Sequence, residues 1–88
     1  MATLDVVFTP RFDKLFRRLP REIRDATYEK LALYLADQLH PSLRVKRIKG
    51  TDGIWEMSIT MNYRLTFELE GERMLLRRIG THDVLRSP

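Results

Sequence analysis

The sequence predicts an α+β fold, with two N-terminal helices packed on one face of a small antiparallel sheet. Two observations predict it. Residues 54–83 carry strand-like alternation, and residues 10–39 carry helix-like apolar stripes punctuated by prolines. Trp55, Met57 and Ile59 alternate with Glu56, Ser58 and Thr60, while Leu65, Phe67 and Leu69 alternate with Arg64, Thr66 and Glu68. Strict period-2 alternation marks a strand buried on one face. Apolar residues oppose each other when Ile59 faces Leu65, Met57 faces Phe67 and Trp55 faces Leu69. That register leaves Met61, Asn62 and Tyr63 as a three-residue loop, with Asn62 able to take positive φ. It gathers Glu56, Ser58, Thr60, Arg64 and Thr66 on the other face, which is expected to stay open to solvent, as antiparallel sheets allow. A two-residue Gly71-Glu72 turn leads to a third strand with Met74 and Leu76 on the apolar face and Arg77 beside Thr66; a one-residue shift of that strand stays open.

The rest of the chain follows in order. Residues 4–8, rich in valine, read as a short first strand. Thr9 caps a helix that starts with Pro10, where a missing N–H costs nothing. Phe12, Leu15, Phe16 and Leu19 form its apolar stripe. Pro20 opens a second helix over residues 21–39 with the stripe Ile23, Ala26, Thr27, Leu31, Tyr34 and Leu35. Leu33 and Leu39 lie off that stripe, and either widen the buried surface or face a partner. Glu22, Arg24, Asp25, Glu29, Lys30 and Asp37 read as a solvated face. His40 precedes Pro41, which disfavours helix and ends it. Residues 43–49 alternate apolar and basic and read as a strand or extended arm. Residues 84–88 are too short for another helix.

Eighty-eight residues make one domain over 1–88 with a single two-layer core. There is no cysteine, so disulfides and thiolate metal sites are excluded. No metal and no cofactor is expected. No apolar run reaches spanning length and no signal peptide is seen, so no membrane is expected and the cytoplasm is the default. A formal charge of +4 favours an anionic partner such as RNA or an acidic protein, though only mildly.

Several short motifs, in this order, cover nearly the whole chain. They are His40-Pro41-Ser42-Leu43, Lys46-Arg47-Ile48-Lys49-Gly50, Trp55-Glu56-Met57, Asn62-Tyr63-Arg64-Leu65-Thr66-Phe67 and Gly80-Thr81-His82-Asp83. Together with the strand and two-helix opening, they resemble the RelE/ParE superfamily of toxins from type II toxin–antitoxin systems. The resemblance implies a RelE-like fold and, in most branches, a ribosome-dependent, metal-independent mRNA endoribonuclease (an mRNA interferase). In that chemistry the RNA's own 2′-hydroxyl attacks the adjacent phosphorus and a 5′-oxygen leaves. The resemblance also implies a cognate antitoxin that wraps and inhibits the toxin. Operator DNA would then be met only through the antitoxin complex.

By the same resemblance, Arg64 matches the arginine these toxins use on the scissile phosphate. A planar guanidinium can hold two phosphate oxygens where the phosphorane gathers charge. The bland reading pairs Arg64 with Glu56 or Glu68 across the sheet. His82 matches the C-terminal catalytic position, where only histidine titrates near neutral pH and can protonate a leaving alkoxide. Glu56 is the candidate general base or, equally, a salt-bridge partner of Arg64. The departures from the family pattern are here. The lysines of the RelE type, the second histidine of the YafQ type and the usual C-terminal tyrosine are all missing. Asp83 is either an orienting group for His82 or solvated, and His40 a helix-end residue. Arg44, Lys46, Arg47 and Lys49 form a phosphate track or an ordinary basic edge strand. Tyr63 is the stacking candidate, Trp55 belongs to the core, and Arg77 joins the RNA-facing set. Two other readings share the fold. One is a ParE-like gyrase inhibitor; the other is a catalytically degenerate member that only binds its antitoxin.

Overall fold

The computed structural model describes residues 4–88. Its order is β1 (Asp5–Phe8), α1 (Pro10–Arg17), α2 (Arg21–Ala36), β2 (Lys46–Arg47), β3 (Ile54–Ser58), β4 (Tyr63–Glu70) and β5 (Arg73–Thr81), with short 3-10 turns at Pro41–Leu43 and His82–Arg86. The five strands form one sheet in the order β1-β5-β4-β3-β2. β2 to β5 run antiparallel in sequence, as expected. β1 returns to the far edge and pairs parallel with β5, so the sheet is mixed rather than purely antiparallel. The two intervening helices make that crossover possible, because parallel neighbours need a long connection.

Thr9 caps α1 as its sequence suggests, accepting the Phe12 N–H, and its hydroxyl also donates to the Leu76 carbonyl on β5. One side chain therefore ends a helix and ties it to the sheet. Phe12, Phe16, Leu31 and Tyr34 bury against Met57, Leu65, Phe67, Met74, Leu76 and Ile79, with Trp55 half-buried at the margin. Tyr34 meets Phe67 edge-on with ring centroids 5.5 Å apart, a favoured aromatic geometry.

Several expectations need correction. α2 ends at Ala36 rather than 39, because Asp37 turns extended and its carboxylate accepts the Leu39 N–H at 3.1 Å. Asp side chains compete with the helix for nearby backbone donors in this way. Leu39 is consequently 91% exposed, and Leu35 faces solvent instead of the core, while Leu33 packs against it. The basic stretch 43–49 is a strand only at Lys46–Arg47. Leu43 instead closes a 3-10 turn and is fully buried, and Arg44 takes a left-handed backbone conformation with φ 47°.

The β3–β4 register is two residues from the expected one. Met57 faces Leu65 and Trp55 faces Phe67, leaving residues 59–62 as the loop. A two-residue slip keeps every side chain on its face, so alternation alone cannot detect it. Thr60 sets the longer turn, its hydroxyl accepting the N–H groups of Asn62 and Tyr63. Asn62 has no positive φ; Arg44 is the non-glycine residue with that geometry among the described residues. The Gly71-Glu72 turn joins β4 and β5 as expected, with Gly71 at φ 60°. A bulge opposite Thr66 and Phe67 then places Arg78, not Arg77, across from Thr66. The bulge absorbs one of two consecutive arginines and returns Ile79 to the core.

The polar face is not open. Residues 82–88, which include the unexpected 3-10 turn, fold back across it, and the Pro88 main-chain oxygen accepts from Thr66 Oγ1 and Arg77 Nε, both at 3.1 Å. Glu56, Ser58, Arg64 and Thr66 are all buried.

Candidate functional site

Arg64 is the second residue of β4, opposite Ser58 on one side and Gly80 on the other. It is only 9% exposed. Its Nη1 donates to the carbonyls of Thr60 at 2.8 Å, Tyr63 at 3.0 Å and Met61 at 3.3 Å. These carbonyls belong to the β3–β4 turn and its edge, so the turn that Thr60 organises also clamps the guanidinium. Nε and Nη2 make no hydrogen bond among the described residues. They form one edge of the guanidinium fork, the edge that can meet two oxygens of a phosphate. The expected pairing with Glu56 or Glu68 is not what the fold makes. Glu68 pairs with Arg77 at 2.8 Å, and Arg64 has no ion-pair partner among the described residues. A buried cation without a counter-charge is costly, and an anionic ligand would relieve that cost.

Glu56 stands in the middle of β3, between Lys46 on β2 and Thr66 on β4. It is 8% exposed, and among the described residues its carboxylate has no ion-pair partner. His82 follows the last residue of β5 and is exposed at the start of its 3-10 turn. Among the described residues it has no hydrogen bond to Asp83. These three side chains line a single hollow of about 320 Å³, with Arg44, Val45, Lys46 and Leu85 completing it. That size lies in the range of small-ligand sites, about 300–1,000 Å³. The hollow holds an acid–base candidate on each of two elements, a clamped guanidinium on a third and two further cations on its rim.

The other expected residues divide. Arg44 and Lys46 reach the hollow, while Arg47 and Lys49 are exposed outside it. The backbone reason is plain: Lys46 and Arg47 are adjacent strand residues and point to opposite faces. Tyr63 is half-buried against the core rather than free in a loop. Arg77 lines a different hollow, of about 340 Å³, beside Thr9, Arg11 and Glu68. His40 is a helix-end residue, its Nδ1 accepting the Ser42 N–H. Leu85 was missed. Its signal was the apolar pair Val84-Leu85 just after His82, which has no reason to sit in a solvated tail. Among the described residues no group of three His, Asp or Glu side chains is placed to hold a metal ion.

No protein-family model matches the sequence, and a search of curated proteins finds no match. Solved structures do match. The chain is similar to the E. coli DinJ–YafQ toxin–antitoxin complex, with TM-score 0.76, 15% identity and coverage of 94% of this chain and 97% of that one. The chain has the RelE-like toxin fold. The RelB–RelE antitoxin–toxin complex of Methanococcus jannaschii gives TM-score 0.73 and 22% identity over 92% of this chain and 95% of that one. The YoeB dimer of Staphylococcus aureus gives TM-score 0.74 and 17% identity over 92% and 99%. In the RelE-like fold of this chain, the hollow lies on the sheet face away from the helices, roofed by residues 82–88.

Proposed function

We propose that the protein is the toxin of a type II toxin–antitoxin pair and cleaves mRNA on the ribosome. The observation that carries this reading is the meeting of Arg64, His82 and Glu56 in one cation-rimmed hollow, in a fold shared with RelE, YafQ and YoeB. The chemistry suits those three groups. Glu56 takes the proton of an RNA 2′-hydroxyl, and that oxygen attacks the neighbouring phosphorus. The free edge of the Arg64 guanidinium holds the equatorial phosphoryl oxygens as charge gathers. His82 gives a proton to the departing 5′-oxygen. The products are a 2′,3′-cyclic phosphate and a 5′-hydroxyl, and every atom of the new bonds comes from the RNA and the two acid–base side chains. Arg44 and Lys46 bind the chain electrostatically without reading its bases.

A cognate antitoxin is part of the reading, because RelB and DinJ accompany two of the similar structures. Operator DNA is met through that complex rather than by this chain alone. The test is inducible expression followed by genome-wide mapping of mRNA 5′ ends. New 5′-hydroxyl ends inside translated regions, lost when translation initiation is blocked, are expected. Growth arrest without such ends contradicts the reading.

A further inference from the structure

The hollow that holds Arg64 and His82 has a neighbour. A second hollow of about 370 Å³ shares Arg44 and Arg64 with it and extends toward α2, where Lys30, Ser42, Ser58 and Thr60 line it. Three cations, Arg64 among them, and three hydroxyls therefore line it. No acidic side chain lines this second hollow. Two of its members, Ser42 and Lys30, are linked to each other and to His40 just outside it. The His40 Nδ1 accepts the Ser42 N–H at 3.2 Å. The Ser42 hydroxyl lies 2.9 Å from the same nitrogen. Its oxygen then accepts from Lys30 Nζ at 3.4 Å. The ammonium keeps further N–H donors free, and among the described residues Lys30 has no carboxylate partner.

From sequence spacing Lys30 belongs to a solvated helix face, and His40 only to a helix end. Their placement gives them a shared role: the Pro41–Leu43 turn holds a lysine of α2 over the mouth of a hollow on the sheet. We propose that this second hollow is a subsite for the phosphate next to the cleaved one, with Lys30 binding it and Ser42 positioning Lys30. The inference rests on the nuclease reading above. It deepens it by making the groove two phosphates long, with Arg44 and Arg64 between the two. An isolated phosphate monoester would need only one hollow; the pair fits an uninterrupted phosphodiester chain.

The test uses single-turnover cleavage of ribosome-bound mRNAs carrying one neutral methylphosphonate, placed immediately 5′ or 3′ of the cleaved phosphodiester. The protein is wild type or Lys30→Gln, a substitution on a partly exposed helix position that leaves the fold intact, as thermal melting checks. One of the two methylphosphonates is expected to slow the wild-type protein about tenfold, the scale of one charged hydrogen bond. Lys30→Gln is expected to be slowed similarly on normal mRNA and to lose its sensitivity to that methylphosphonate. Ser42→Ala is expected to show a weaker form of the same loss. If both proteins cleave normal mRNA and respond equally to every methylphosphonate, the subsite is wrong while the nuclease reading stands. If the wild-type protein cleaves no ribosome-bound mRNA, the nuclease reading falls and the subsite with it.

Discussion

Arg64 does two jobs through different nitrogens. Nη1 holds the turn through the carbonyls of Thr60, Met61 and Tyr63, and Nε and Nη2 make no hydrogen bond among the described residues. Arg64→Ala is therefore expected to cost about 1–3 kcal/mol of stability, since three partly buried carbonyls lose a charged donor, as well as activity. Arg64 is thus an ambiguous test by itself, whereas His82 is a clean one. His82 is exposed and makes no hydrogen bond among the described residues, so His82→Ala should leave the melting temperature unchanged. Its cleavage rate should fall by about 10²–10⁴-fold, the usual contribution of a general acid. Glu56→Gln separates base from salt bridge. With no ion-pair partner for the carboxylate among the described residues, calorimetry should find stability preserved while single-turnover cleavage slows. Stability lost with the rate intact would make Glu56 structural. Arg44 holds a left-handed backbone conformation that costs a non-glycine residue roughly 1–2 kcal/mol. Arg44→Gly should thus keep or raise stability yet weaken cleavage, because the cation shared by the two hollows is lost.

At the scale of elements, what was legible followed from period and caps. The Thr9-Pro10 start of α1, the faces of residues 55–58 on β3 and 64–69 on β4 and the Gly71-Glu72 turn could all be read from the residues. What was not legible had a physical reason each time. The β3–β4 register was degenerate under a two-residue slip, and the observed turn is held by the Thr60 hydroxyl and the Arg64 guanidinium. The bulge hid in Arg77-Arg78, where two polar residues in succession break the alternation between Leu76 and Ile79. The parallel pairing of β1 with β5 is a long-range choice that no local pattern encodes. The candidate residues Arg64, His82 and Glu56 were named through the family resemblance rather than from period or spacing, and the fold brings them to one hollow. The roof of that hollow was not legible, because the contact of Pro88 with Thr66 and Arg77 joins residues far apart in sequence. Thr9→Ala tests the coupling of elements. It removes a helix cap and the bond to the Leu76 carbonyl together, so chemical denaturation should report a loss of about 1–2 kcal/mol.

For the whole molecule, the sheet separates two tasks. One face carries Phe67, Leu65 and Met57 into the core under the helices, and the other carries Arg64, Thr66 and Glu56 under residues 82–88. Phe67 is fully buried, and truncating it to alanine is expected to cost about 3–5 kcal/mol in equilibrium unfolding. On the proposed toxin reading, a net charge of +4 and a cation-rimmed groove suit an acidic or groove-covering inhibitor. Purification from its native operon should therefore yield a complex with a second small protein rather than the free chain. The most direct measurement of the nuclease mechanism is single-turnover cleavage of ribosome-bound mRNA by wild type, His82→Ala and Arg64→Ala. Arg64→Ala should lose on the order of 10²–10³-fold through the missing transition-state contact, alongside the larger range given for His82→Ala, with the ends produced by wild type being a cyclic phosphate and a 5′-hydroxyl. Undiminished rates in both variants would contradict the mechanism.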